Sequence, residues 1–284
     1  MQLSINPTYV KKRHEGGERP MLECIRAVRD AGFSLVDFLT DVKIDDWESL
    51  AKETREEIER MGGIAVDQSH APFNRYTALP EELFAEYTRR AVEATAILGS
   101  KNLVVHADEY VIGEDGLVFH KALAYEYERL APIVSLAEKR GVNISIESVF
   151  EDGKHGNIPS RFTSRIEELL AIVEKLNAPN VSVCWDFGHS YVANQQKHLE
   201  ALRMVGPYLG TTHVHDNDSH HDHHWLPMFG TIDWCETMKT LREIGYRGNF
   251  TFELVYGKLT DGAVAPFLSY CHALGEELLR LAEL

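Results

Sequence analysis

Short apolar runs recur along the chain at a near-constant interval, and amphipathic stretches of helical period separate them. The runs predict strands at QLSIN (2–6), SLVDFL (34–39), IAVDQSH (64–70), NLVVHAD (102–108), VNISIES (142–148), VSVCWDF (181–187), TTHVHD (211–216) and NFTFELV (249–255). Helices are predicted over 21–32, 45–62, 80–99, 118–140, 161–176, 196–206, 233–244 and 265–283. Gly62, Gly99 and Gly141 stand where helices commonly end, and Pro80 stands where one starts. Alternating strands and helices give a parallel sheet, and eight such units close it into a single-domain (β/α)₈ TIM barrel spanning 1–284. An open doubly wound sheet is the rival. A nucleotide-binding sheet of that kind carries a glycine-rich phosphate loop after its first strand, and neither GxGxxG nor GxxxxGK[ST] occurs here.

Five of the runs carry a carboxylate or an imidazole at or near their ends: His106, Glu147, Asp186, His215 and Glu253. Side chains alternate faces along a strand, so Ser145 and Glu147 oppose Ile146, Cys184 and Asp186 oppose Val183 and Trp185, and Thr251 and Glu253 oppose Phe250 and Phe252. The large apolar residues then pack on the helices, and the small polar residues and candidate ligands face the barrel interior. Barrel active sites lie at the C-terminal ends of the strands, where these residues fall. A lone capping carboxylate explains one of them but not four of matching parity on strands five to eight. Charged groups at buried strand ends are costly to desolvate singly, whereas several converging together can share a divalent metal.

Composition narrows the class without changing the fold. The hydrophobic fraction is 44% and the charged fraction 26%, as in ordinary globular proteins. The formal net charge of −15 disfavours a nucleic-acid backbone as partner, because such binding is driven by cationic surfaces. Cys24, Cys184, Cys235 and Cys271 are scattered with no CxxC pair, Met1 is followed by no apolar leader, and no run is long enough to span a membrane. A reducing cytoplasm is the expected setting.

A set of carboxylates with one imidazole suits Mn²⁺ or Mg²⁺, and added histidines pull towards Zn²⁺ or Co²⁺. Such an ion polarises a carbonyl and steadies an enediolate, while a carboxylate moves a proton at the neighbouring carbon.

Several motifs occur in one order. VSVCWDFGHS contains D-x-x-H from Asp186 to His189, HVHDND follows on strand seven, DHHWLPMFGTIDW comes after it, and FTFELV closes the series. Together they resemble the xylose isomerase-like barrel superfamily over nearly the whole chain. That group contains sugar and sugar-phosphate isomerases and epimerases, inosose dehydratase and endonuclease IV. The resemblance implies a metal held by Glu147, Asp186, His215 and Glu253, with Mn²⁺ the expected ion and Co²⁺, Mg²⁺ and Zn²⁺ as alternatives. Glu147 and Glu253 would be the proton-transfer pair, and His189 would lie against a substrate oxygen. His213 shares a face with His215 one pleat deeper; His215 is taken as the ligand and His213 as a hydrogen-bonded neighbour. His70, His106, His189, Asp222 and His224 resemble the further ligands of endonuclease IV, and they serve equally as sugar contacts in the isomerases.

SHHDHHW (219–225) carries four histidines and reads equally as a metal-binding loop or as a polar lid over strand seven; Asp222 and His224 match the family spacing, and His220, His221 and His223 read as solvated loop residues. Trp225, Phe229 and Trp234 are candidates to wall a sugar pocket. Two positions depart from the ketohexose 3-epimerases of the group. No Arg stands within the few residues after the strand-seven histidine, where DNDSHHDHH follows, and Gly153 stands where a Glu is usual. The expectation is therefore a metal-dependent sugar, sugar-phosphate or keto-inositol isomerase, epimerase or dehydratase, acting on a small molecule and assembled as a homo-oligomer. Trinuclear-zinc cleavage of abasic DNA and metal-assisted sugar binding without catalysis are the alternatives.

Overall fold

A computed structural model describes residues 1–74, 79–112, 116–150, 161–254 and 257–283. Eight parallel strands run β1 (Leu3–Ile5), β2 (Leu35–Asp37), β3 (Ala65–His70), β4 (Asn102–Val105), β5 (Asn143–Glu147), β6 (Val181–Asp186), β7 (Leu209–His213) and β8 (Phe250–Phe252). Each pairs with its sequence neighbour from β1 to β7, and β8 pairs with β1 through Leu3–Phe250, Ser4–Thr251 and Ile5–Phe252. The ring closes just beyond β7. Val214 N donates to Thr251 O at 2.8 Å, and Glu253 N donates to Val214 O at 3.1 Å. The chain is a single-domain (β/α)₈ barrel, as the alternation implied.

Among the described residues the helices are α1 (Met21–Asp30), α2 (Trp47–Met61), α3 (Glu81–Leu98), α4 (Phe119–Arg140), α5 (Ile166–Leu176), α6 (Phe187–Asn194), α7 (His198–Val205), α8 (Trp234–Glu243) and α9 (Asp261–Leu281). Gly99 and Gly141 end α3 and α4 in the left-handed conformation that a side chain disfavours. Ile144, Ile146, Val183, Trp185, Phe250 and Phe252 enter one apolar core with the inner faces of the helices. The opposite parity carries buried Ser145 and Thr251, with Thr211 of β7 and half-buried Ser182, and the Ser145 and Ser182 hydroxyls meet at 2.9 Å.

Several elements differ from the sequence reading; the last helix, for one, begins at Asp261 rather than 265. α6 follows β6 directly; FGHSYVAN holds Gly and Ser and is too short to show a helical period, and the helix exists because Asp186 caps it, accepting from His189 N at 2.7 Å. β7 starts at Leu209 and ends at His213, rather than spanning 211–216. α5 begins at Ile166, five residues later than read. The end of the expected last strand, Val255, lies outside the described residues.

Candidate metal centre

The C-terminal ends of the strands bring the expected residues into one cluster. Glu147, the last residue of β5, lies at its middle and is 1% exposed. Its Oε2 is 2.9 Å from His70 Nε2 and 3.2 Å from His106 Nε2, on β3 and just after β4. Its Oε1 is 3.3 Å from His189 Nδ1 and 3.3 Å from His213 Nδ1. Glu253, just past β8, reaches His213 Nδ1 with Oε2 at 3.4 Å. Beyond Asp186, His215 Nε2 lies 2.9 Å from Asp186 Oδ1, and His224 Nε2 lies 2.9 Å from Asp222 Oδ2.

These contacts divide into three groups, each with ligand atoms within 4.8 Å of one another: Glu147, Asp186, His213 and Glu253; His70, His106 and again Glu147; and His189, His215, Asp222 and His224. Ligands at about 2.1 Å around one ion stand roughly 3.4 Å apart in a tetrahedron, so all three spacings suit a shared cation. Hydrogen bonding agrees. A carbonyl can only accept, so His70 Nδ1 donates to Ala71 O at 2.9 Å, and His224 Nδ1 donates to Glu253 O at 3.1 Å. Their Nε2 lone pairs then face carboxylates, an arrangement that needs either a proton or a cation between the two. Anchoring one ring nitrogen on a carbonyl is how metal-ligating histidines are commonly oriented. Both ring nitrogens of fully buried His213 lack a well-aligned hydrogen bond, and so does Glu253 Oε2. The donor set fits a divalent metal.

Electrostatics point the same way. Burial opposes protonation of His106, but the charge of Glu147 and the carboxylate of Asp108 outweigh it and raise the ring to about 9. His224 rises to about 9 against the same opposition, through Asp222 and Glu253. Burial likewise opposes His189 and His213, yet neighbouring negative charge holds both well above the usual imidazole range. Glu147 is driven well below the ordinary carboxylate range despite its burial, chiefly by His213 and His106. The cluster demands positive charge.

The structure groups the two strand-seven histidines differently from the expected ligand set. His213, not His215, joins Glu147, Asp186 and Glu253. The cause is where β7 ends: its register pairs Asp186 with His213, which sets the two side by side at the rim. His215, two residues further on, turns towards α6 and stacks on His224 with ring centroids 3.9 Å apart. The expected wall residues separate too. Trp234 is 3% exposed and packs between Phe187 and Phe250 while its Nε1 donates to Asp216 Oδ2, so it belongs to the core. Trp225 stacks on His223 at 4.0 Å, and Phe229 lies exposed beside Tyr270. Gly153 lies outside the described residues.

Pattern alone did not single out Phe73, which stacks on His106 at 4.9 Å, or Phe150, which stacks on His189 at 4.9 Å. Asp37 on β2, with Oδ2 3.6 Å from His213 Nε2, was also not singled out. Each follows a strand or ends one, the position from which a barrel residue reaches the site.

Residues 25–267 match the xylose isomerase-like TIM barrel family, and the chain belongs to it. An uncharacterized protein of Methanocaldococcus jannaschii is 30% identical over 191 residues, 65% of this chain and 62% of that one. The aligned part thus spans less than two thirds of that relative. A probable endonuclease 4 of Mycoplasma mobile is 26% identical over 54% of this chain and 53% of its own. An L-ribulose 3-epimerase of a Methylomonas species is 22% identical over 83% of this chain and 80% of its own. Among solved structures, a D-tagatose 3-epimerase-like protein superposes with a TM-score of 0.75 at 22% identity, covering 100% of this chain and 98% of that one. The IolI protein with a binding zinc atom superposes at 0.76 and 18% identity, covering 98% of each chain. These two share the fold. No helix among the described residues is long and apolar enough to cross a membrane.

Proposed function

We propose that the protein is a divalent-metal-dependent isomerase or epimerase of a small sugar, sugar phosphate or keto-inositol. The observation that carries the reading is the pair of glutamates from opposite sides of the barrel seam, Glu147 and Glu253, both drawn to His213 Nδ1 at 3.3 and 3.4 Å. The epimerase relative and the epimerase-like fold neighbour support a sugar as substrate.

Glu147, Asp186, His213 and Glu253 would hold the ion, with Mn²⁺, Co²⁺, Mg²⁺ or Zn²⁺ compatible with three carboxylates and an imidazole. When bound it supplies Lewis-acid polarisation of the substrate carbonyl. The chain's own residues then divide the work. Glu253 has the freer carboxylate: its Oε2 makes no hydrogen bond and its side chain is 20% exposed. It removes the proton from the carbon beside the carbonyl. Both oxygens of Glu147 lie against imidazoles, which keep it ionised until a proton reaches the site. Glu147 returns a proton to complete the epimerisation, or Glu253 itself does so in an isomerisation. His106 and His189, capped by Phe73 and Phe150, present ring edges and aromatic faces to the sugar.

Incubation of the metal-loaded protein with a panel of keto-sugars in D₂O should place deuterium beside the carbonyl. Glu147→Gln and Glu253→Gln should each slow that exchange by about 10²-fold or more. Exchange that survives either change refutes the two-glutamate assignment.

A second reading rests on the simultaneous presence of all three ligand groups and on the endonuclease relative: hydrolysis of phosphodiesters at abasic DNA sites with three zinc ions. Cleavage of an abasic duplex by zinc-loaded protein, without exchange in any sugar, would establish it in place of the first.

A further inference from the structure

The excursion after β7 holds a fourth cluster, separate from the three groups around Glu147. The segment 217–224 leaves and rejoins the fold through one antiparallel bridge, in which Asp216 N donates to Trp225 O at 2.8 Å and Trp225 N donates to Asp216 O at 2.9 Å. Inside it the backbone folds around Asp218. His220 N and His221 N both donate to Asp218 Oδ1 at 2.9 Å, and Ser219 takes a φ of 67° to allow the turn. These two donors fix the carboxylate and turn Oδ2 towards two imidazoles, His221 Nδ1 at 3.1 Å and His223 Nε2 at 3.1 Å. Alternation along the loop does the rest. Asp222 and His224 reach inward to the strand-end cluster, while His221 and His223 face the other way and meet Asp218, which the turn has already placed there.

We propose that Asp218, His221 and His223 form a surface metal site of their own, one that takes a late first-row divalent ion. Two imidazoles and one carboxylate make the ligand set of an open zinc site, with solvent completing the shell. Affinity within such a set rises from Mn²⁺ through Co²⁺ and Ni²⁺ to Cu²⁺, with Zn²⁺ below copper, so the site discriminates against Mn²⁺ and Mg²⁺. It fills from solution, because the three side chains are 35%, 68% and 30% exposed. Its occupant ties the loop across residues 218–223 and so restrains the backbone that carries Asp222 and His224. The outer ion acts as a latch on the loop, whatever reaction the inner cluster performs.

Trp225 reports on the site, because its ring lies 4.0 Å from that of His223 at an interplanar angle of 3°. Paramagnetic Co²⁺ or Cu²⁺ bound there should quench its fluorescence. The test titrates metal-free protein with Co²⁺, Cu²⁺ and Zn²⁺ and follows tryptophan emission and metal stoichiometry after gel filtration. The wild type should bind one equivalent more Zn²⁺ than His221→Ala, with affinity for that equivalent at least tenfold weaker in the variant, and His221→Ala should lose one phase of the quenching. Asp218→Asn should behave likewise while leaving the His223–Trp225 stack intact. The same phase should persist in Asp186→Asn, which alters only the inner cluster, so the latch and the proposed sugar chemistry fail independently. Equal stoichiometry and unchanged quenching in both His221→Ala and Asp218→Asn would overturn the proposal.

Discussion

At Gly188 the first turn of α6 passes so close to the imidazole of His215 that a methyl group has no room. A Cβ built there would lie 1.9 Å from His215 Cε1. Gly188→Ala therefore has to push His215 away from Asp186, its partner at 2.9 Å. Displacing a residue that orients a metal ligand typically costs about 10–100-fold in metal affinity or activity. Competition with a chelating indicator should show that loss in Gly188→Ala. Deeper in the barrel, burial raises the Asp67 carboxyl to about 7, against the opposing hydrogen bond from Ser4 and with help from the charge of Asp37. The folded protein therefore holds a proton that an unfolded chain, with the ordinary value of 3.8, has released. Stability accordingly falls as pH rises between those values, by at most about 1.4 kcal/mol per pH unit from this one group. Urea melts across that window should show a shallower dependence in Asp67→Asn, whatever its absolute stability.

Helix ends and strand ends determine which residues meet. Asp233 caps α8 by accepting from Glu236 N at 3.1 Å, so Asp233→Ala should cost about 1 kcal/mol in a denaturant melt. Most of the elements were legible in the sequence, because apolar runs of period two alternated with stretches of helical period and glycines marked the turns. The parity of Glu147, Asp186 and Glu253 was legible for the same reason. The choice between His213 and His215 was not. Both have the same parity, and only the register of β7 on β6, with its shift between Val183 and Cys184, decides which one reaches Glu147 and Glu253. α6 escaped because its stability comes from a cap that doubles as a candidate ligand, not from an amphipathic pattern. The histidines of 219–225 are legible as a possible metal-binding loop, but the grouping of His221 and His223 with Asp218 is not, since it depends on a positive φ at Ser219 and two backbone donors.

On the scale of the whole barrel, the aromatic packing behind β8 anchors the end of the chain that carries Glu253. Phe252 is fully buried and meets Phe33 and Phe250 edge to face, at 6.4 and 6.0 Å. Phe252→Ala should destabilise the fold by about 3–5 kcal/mol, measured by urea denaturation. Among the described residues the ring is joined between β7 and β8 by the two backbone hydrogen bonds of Val214 and by Thr212 Oγ1, which donates to Asn249 O at 2.9 Å. Strand eight is also the last to leave the ribosome, and domains of this size fold as units. A nascent chain lacking that strand has His213 but no Glu253 to face it, so it cannot gather the full donor set. The join at Val214 thus makes completion of the barrel and assembly of the proposed donor set a single event.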